Sequence, residues 1–195
     1  MNRFDDVRDL AAGCRACDLW RNATRTVFGE GPVPAAMMLV GEQPGDQEDR
    51  AGHPFVGPAG RILDQALGRA GIERRTVYVT NAVKHFKWKP RGKRRIHDTP
   101  NRVEVVACRP WLETELELVK PDVLVVLGAT AAQSALGPGF RVTRHRGEDL
   151  RDTGLAEHVV ATTHPSAVLR VADPAERESA LTLLVRDLEA AAALL

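Results

Sequence analysis

Long apolar runs are missing from this 195-residue chain. None approaches the roughly 20 residues that a bilayer-spanning helix needs. No apolar leader precedes the first charged residues, so the sequence points to a cytoplasmic protein without a membrane partner. An excess of one charge is missing too. The formal net charge is +1, so the whole molecule is no polycation, and any nucleic-acid surface must come from local clustering. Cysteine is scarce. Cys14, Cys17 and Cys108 cannot all pair, and their spacing suggests a metal site more than a disulfide framework. Repeats, low-complexity tracts and linkers are absent. The length suits one domain with its own core, expected to be a monomer.

What is present is organised around Met37–Asp49, MMLVGEQPGDQED. The continuous apolar run Ala35–Val40 reads as a buried strand of a parallel sheet. Gly41, Pro44 and Gly45 then force a turn. Further strands are expected at Val77–Ala82, Asp122–Leu127 and Val159–Thr163. Helices are expected at Asn2–Ala12, Pro58–Ala70, Pro100–Lys120, Ala129–Leu136 and Ala175–Leu194, with Pro110 distorting or dividing the third. The polar stretch Val142–Leu155 should hold a short strand. Alternating strands and helices give an α/β fold. It is a three-layer α/β/α sandwich around a central, mostly parallel four-stranded sheet, with the loops after the strands at one edge. Ligand sites of open α/β sheets lie at that edge.

The stretch Lys84–His97, KHFKWKPRGKRRIH, carries seven Lys or Arg in fourteen residues, with Phe86 and Trp88 among them. Pro90 and Gly92 make it read as a loop. Such a run is ordinarily a solvated face, but cations interleaved with aromatics also suit a single-strand groove, where bases stack and phosphates pair. A second basic cluster runs from Arg141 to Arg146. His53, His145 and His158 gain no role.

Three strand ends then point toward one cleft. The first offers Glu42, Gln43 and Asp46, the second Asn81, the last His164. A carboxylate, an amide and an imidazole suit a small polar heterocycle, since an amide donates and accepts in one plane like the edge of a base. Phe55 could supply a stacking face.

With GEQPG at Gly41–Gly45, PFVGPAG at Pro54–Gly60, TNAVK at Thr80–Lys84 and HPS at His164–Ser166, the chain resembles the uracil-DNA glycosylase superfamily. The cysteines resemble its iron–sulfur branch. Glu42 and Gln43 with the acidic run after them, plus KRRIH at Lys93–His97, are similar to the UdgX subgroup. Members of that subgroup excise uracil and become covalently attached to the DNA they acted on. The resemblance implies a single glycosylase-like domain over residues 1–195, with an inserted basic loop at 84–98. It implies that Asn81 reads uracil O4 and N3, that Phe55 stacks on the flipped base, and that main chain near Gln43 touches the pyrimidine. It implies that His164 donates to O2, that Glu42, or else Asp46, stabilises the cationic sugar, and that His97 attacks C1′. Lys93, Arg94 and Arg95 would hold DNA phosphates. Free uracil would be a product, and single-stranded DNA at least as good a substrate as double-stranded. Where the branch has its third cluster cysteine this chain has His85, giving Cys14, Cys17, His85 and Cys108 as ligands of a [4Fe–4S] cluster; from the ligand types alone, Cys3His zinc competes. A turnover glycosylase in which His97 only contacts DNA, and a non-catalytic binder of uracil-containing DNA, are the alternatives.

Overall fold

The computed structural model describes residues 3–195; the expected start of the first helix at Asn2 lies outside them. In chain order the elements are α1 (Arg3–Ala12), β1 (Met37–Gly41), α2 (Asp46–Ala51), α3 (Pro58–Arg69), β2 (Val77–Asn81), β3 (Trp88–Arg91), β4 (Arg94–His97), α4 (Arg102–Val119), β5 (Val123–Leu127), α5 (Ala129–Leu136), α6 (Val142–His145), β6 (Asp149–Leu150), β7 (His158–Thr162), α7 (Pro165–Arg170) and α8 (Pro174–Ala192).

The main sheet has the order β2-β1-β5-β7-β6. The first four strands run parallel, and β6 pairs antiparallel with β7. The expected class holds, with five strands instead of four. The fifth is the two-residue edge strand Asp149–Leu150, the short strand expected within Val142–Leu155, which joins the main sheet at its edge.

Every residue of β1, β2, β5 and β7 is buried. Alternate side chains serve opposite faces. Met37, Leu39, Val77, Val79, Val123 and Val125 pack with Leu63 and Leu67 of α3 and with Leu181, Leu184 and Leu188 of α8. Met38, Val40, Tyr78, Leu124 and Val126 pack with Leu112 and Val119 of α4 and with Ala131 and Ala132 of α5. Two helical layers thus cover the sheet, which leaves its strand ends as the open edge.

Three local expectations change. Pro110 neither divides nor ends α4. Pro110 is exposed, while Cys108, Leu112, Glu115 and Val119 are buried and hold both halves of the helix against the protein. On the solvent side, the carbonyl that lost its N–H partner can turn to water. The basic stretch is a hairpin and not a loop: β3 and β4 pair antiparallel with Arg91 opposite Arg94. Gly92 opens the two-residue turn at φ 59°, and Pro90 is tolerated because this ribbon has edges only. The acidic run after Gly45 winds into α2, where Glu48 accepts from the main-chain N–H groups of Gly45 (3.1 Å) and Gly57 (2.8 Å).

Candidate active site

The parallel strands deliver Gly41, Asn81, Gly128 and His164 to one edge of the sheet. The β1–β2 ladder runs past the strand ends: Ala82 N–H donates to Gly41 O (2.8 Å) and Val83 N–H to Glu42 O (3.0 Å). Gly41 has no room for a side chain. A Cβ there would lie 2.4 Å from Asn81 Oδ1 and 2.6 Å from Phe55 Cζ. Asn81 and Phe55 therefore crowd the same small space. Phe55 is buried and sits at φ 57°, a left-handed conformation costly for a bulky residue. Its carbonyl lies so near Gly60 that a Cβ there would be 1.7 Å away. The His164 ring is 6.1 Å from that of Phe55, centroid to centroid.

His164 has a defined protonation state. Burial pushes its pKa down to about 4, with His97 and Arg170 adding to the effect against the pull of Glu42. The ring is therefore neutral near pH 7. Ser166 N–H donates to His164 Nδ1 (3.2 Å). A main-chain N–H can only donate, so Nδ1 accepts and the ring proton resides on Nε2.

Glu42 sits at the mouth of this space. Its Oε1 is 3.1 Å from His97 Nε2, and its Oε2 accepts from Thr130 Oγ1 at 2.5 Å. Burial alone would raise its pKa, but the hydrogen bonds from His97 and Thr130 and the fields of His97 and His164 outweigh it and leave the carboxyl below its ordinary value. Nothing in the sequence singles out Thr130. It stands in the first turn of α5, and only the fold brings it to Glu42.

Several expected site residues are committed elsewhere. Gln43 turns its amide onto the hairpin, donating to Lys87 O (3.2 Å) and Asp98 O (3.0 Å) and accepting from Lys87 N–H (3.0 Å). Its side chain thus fastens the hairpin's base. Asp46 is held by Arg50 (3.0 Å) and Arg95 (2.5 Å), which leaves Glu42 as the carboxylate facing both histidines. Arg95 is no free phosphate ligand. It pairs with Asp46 and with the fully buried Asp49 (2.7 Å), and its guanidinium lies 5.4 Å from the Phe86 ring centroid and 5.5 Å from that of Trp88. Lys84 leaves the basic surface altogether: it is fully buried against Glu115. Lys93 and Arg94 remain exposed near the hairpin turn.

Near the amino terminus, Cys14 Sγ accepts from Trp111 Nε1–H (3.1 Å) and Cys108 Sγ from Lys84 N–H (3.2 Å). Burial pushes the Cys108 thiol up to about 11; Lys84 opposes this, and the nearby Cys17 and Cys14 add to it. His85 is buried, its Nε2 is 2.9 Å from Thr26 Oγ1, and its Nδ1 has no hydrogen-bond partner. A buried ring nitrogen without a partner, three neighbouring thiols and two N–H donors aimed at sulfur fit a thiolate-bound group. Among the described residues, no group of three or more such side chains converges on a single-ion site.

The architecture and the site together define a class. A parallel α/β/α sandwich presents, at its strand ends, an amide, an aromatic ring, a neutral imidazole and a carboxylate–histidine pair. Residues 28–189 match the Uracil DNA glycosylase superfamily, and the chain belongs to that family. It is 39% identical over 165 residues to the type-4 uracil-DNA glycosylase of Thermotoga maritima, covering 84% of this chain and 82% of that one. It is 37% identical over 174 residues to the type-4 enzyme of Pyrobaculum aerophilum, covering 84% and 83%. It is 31% identical over 182 residues to the type-5 uracil-DNA glycosylase of the same organism, covering 84% and 76%. Among the described residues, no helix is long and apolar enough to cross a membrane.

Proposed function

We propose that this protein excises uracil from DNA and that His97 then bonds to C1′ of the deoxyribose, leaving the protein attached to the strand. The observation that carries this reading is the contact between His97 and Glu42 at the mouth of the space walled by Phe55, Asn81 and His164.

The target nucleotide must first leave its stack. Phe55 stacks on the base. Asn81 pairs with O4 and N3–H, a pattern that cytosine reverses, so cytosine leaves buried polar groups unpaired. The C1′–N1 bonding pair departs with uracil, and negative charge gathers at O2. His164 Nε2–H is the donor for that charge, fixed because Ser166 occupies Nδ1. One such donor is worth on the order of 10²–10³ in rate. Positive charge grows on the sugar beside the Glu42 carboxylate.

His97 then gives a ring-nitrogen pair to C1′. An ionised carboxylate only accepts, so in the free protein Glu42 Oε1 meets a proton on His97 Nε2. Attack from that nitrogen requires Glu42 to take the proton, which finally reaches the uracil anion. One C–N bond breaks and one forms, and the products are free uracil and a neutral N-ribosyl imidazole. That product lacks a good leaving group, so hydrolysis is slow and each molecule acts once. A histidine held at C1′ outcompetes water through its effective concentration.

Cys14, Cys17, Cys108 and His85 would hold the iron–sulfur cluster that the resemblance implies. Bound there, such a cluster would supply a one-electron redox centre and a cross-link between the amino-terminal segment and α4. Fresh protein should contain iron and absorb visible light; zinc alone would overturn this assignment.

The functional test uses a labelled single-stranded oligonucleotide with one uracil, run on a denaturing gel beside a thymine control. A uracil-dependent band that survives denaturant is expected. His97→Ser should replace that band by turnover to alkali-labile abasic sites. Turnover by the unaltered protein, without a retarded band, would make Glu42 the ligand of an attacking water and His97 a DNA contact.

A further inference from the structure

Lys84 belongs by sequence to the basic stretch, yet it lies at the centre of the molecule. Its ammonium and the Glu115 carboxylate are both fully buried and paired. All three ammonium protons have acceptors: Glu115, Thr80 Oγ1 (2.7 Å) and the main-chain carbonyl of Asn81 (2.7 Å). Glu115 Oε1 also accepts from Gly29 N–H, Tyr78 OH and Thr80 Oγ1, each at 2.9 Å. Removing two charges from water costs several kcal/mol per ion, and an apolar pair in the same volume is often as stable. Stability therefore does not explain why a lysine is kept here.

Its contacts do. We infer that Lys84 is a positioning residue for base recognition, acting through the main-chain carbonyl of Asn81. This rests on the reading that Asn81 pairs with uracil. Asn81 is the last residue of β2, and among the described residues its side chain has no hydrogen-bond partner, so its direction is set by its own backbone. Gly41 opposite it contributes no side chain to hold it. The Lys84 ammonium anchors that backbone from beneath at the point where the strand ends. The same residue's N–H donates to Cys108 Sγ and its carbonyl accepts from Val27 N–H (2.8 Å), so the anchor is itself fixed at both main-chain ends. A rigid support under a polar recognition group is what pre-organised sites require, and a displacement of about 1 Å can cost roughly 10²-fold in rate.

The test is a double-mutant cycle between Lys84→Met/Glu115→Gln and Asn81→Ala. The glutamine at 115 keeps an acceptor for Gly29 and Tyr78 and leaves no unpaired charge. Single-turnover rates of uracil release are measured with excess protein on a uracil-containing oligonucleotide, beside the half-saturating protein concentration and the visible absorption. Lys84→Met/Glu115→Gln should lower the saturating rate about 10- to 100-fold and leave half-saturation and absorption as in the unaltered protein. In the Asn81→Ala background it should cause no further loss. Tyr78→Phe, which trims Glu115's shell but not the tie to Asn81, should match the unaltered protein. A rate within twofold of the unaltered protein, or losses that multiply with Asn81→Ala as independent sites do, would overturn the inference. Should the paired variant fail to fold, Lys84→Arg, which keeps the charge but replaces the three-way ammonium by a planar fork, carries the same expectations. An unaltered protein that releases no uracil defeats the functional reading beneath the inference, and the inference with it.

Discussion

Arg95→Met tests whether the hairpin is a tether for His97. Arg95 sits two residues before His97 on β4 and binds two carboxylates of α2. The two pairs are unequal. Asp46 is partly exposed, its side chain 38% accessible to solvent that screens the pair, so this pair is worth at most about 1 kcal/mol. Asp49 is fully buried and, among the described residues, accepts besides Arg95 only from Thr24 N–H, at 2.9 and 3.1 Å. Removing one partner of a buried pair costs about 3–5 kcal/mol, because the other charge is stranded. At roughly 2–4 °C per kcal/mol for a chain of this size, the melting temperature should fall by roughly 6–20 °C. Adding Asp49→Asn removes the stranded charge and keeps an acceptor for Thr24, so most of that loss should return. Covalent capture should not return with it, because neither variant holds β4 on α2. In the denaturing-gel assay both should capture uracil-containing DNA at least about 10²-fold more slowly. Capture at the full rate by Arg95→Met, or its recovery in step with the melting temperature, would refute the tether.

Thr130→Val removes one of the hydrogen bonds that hold the Glu42 carboxyl below its ordinary pKa, so the acid limb of the pH–rate profile should move to higher pH, while Thr130→Ser should leave it in place; an unmoved limb in Thr130→Val would show that Glu42 is not the titrating group. His164 binds its proton more weakly when folded, with pKa about 4 against 6.5 for the free side chain. The unfolded chain therefore holds more protons between those values, and His164 should lower stability as pH falls through that window. His164→Asn should flatten the melting temperature across that range, and an unchanged slope would count against the burial argument. If three exposed cations of the hairpin, Arg91, Lys93 and Arg94, meet phosphates, the slope of log affinity for single-stranded DNA against log salt should be near −2, not the value of about −5 expected from all seven.

The sheet was legible in the sequence because its information is local. Met37–Val40 and Val123–Leu127 are continuous apolar runs ended by glycine, and a parallel strand buried on both faces needs nothing else. From such strands the layer order and the edge that carries Glu42, Asn81 and His164 follow by handedness. The hairpin is not legible although Gly92 occupies a two-residue turn, because the cations hide the alternation of Trp88–Arg91 and Arg94–His97. The helix α2 is not legible because its cap is Gly45, and Glu48 closes it through the main chain.

What the sequence could not disclose is which charges are spent. A run such as KHFKWKPRGKRRIH carries no mark that separates a cation facing solvent from one paired deep in the fold. The partners lie far away: Lys84 meets Glu115 across 31 residues, Arg95 meets Asp49 across 46, and Gln43 meets Lys87 across 44. Only the folded chain brings these together. Lys87 and Lys89 are likewise paired, with Glu104 and Asp98. The stretch that reads as a uniform basic surface is therefore a ribbon with two environments. Its base is locked to α2, α4 and the loop after β1, and its tip is left to the solvent. His97 lies at the locked end, against Glu42, which is where a nucleophile must be if its advantage over water is position rather than basicity.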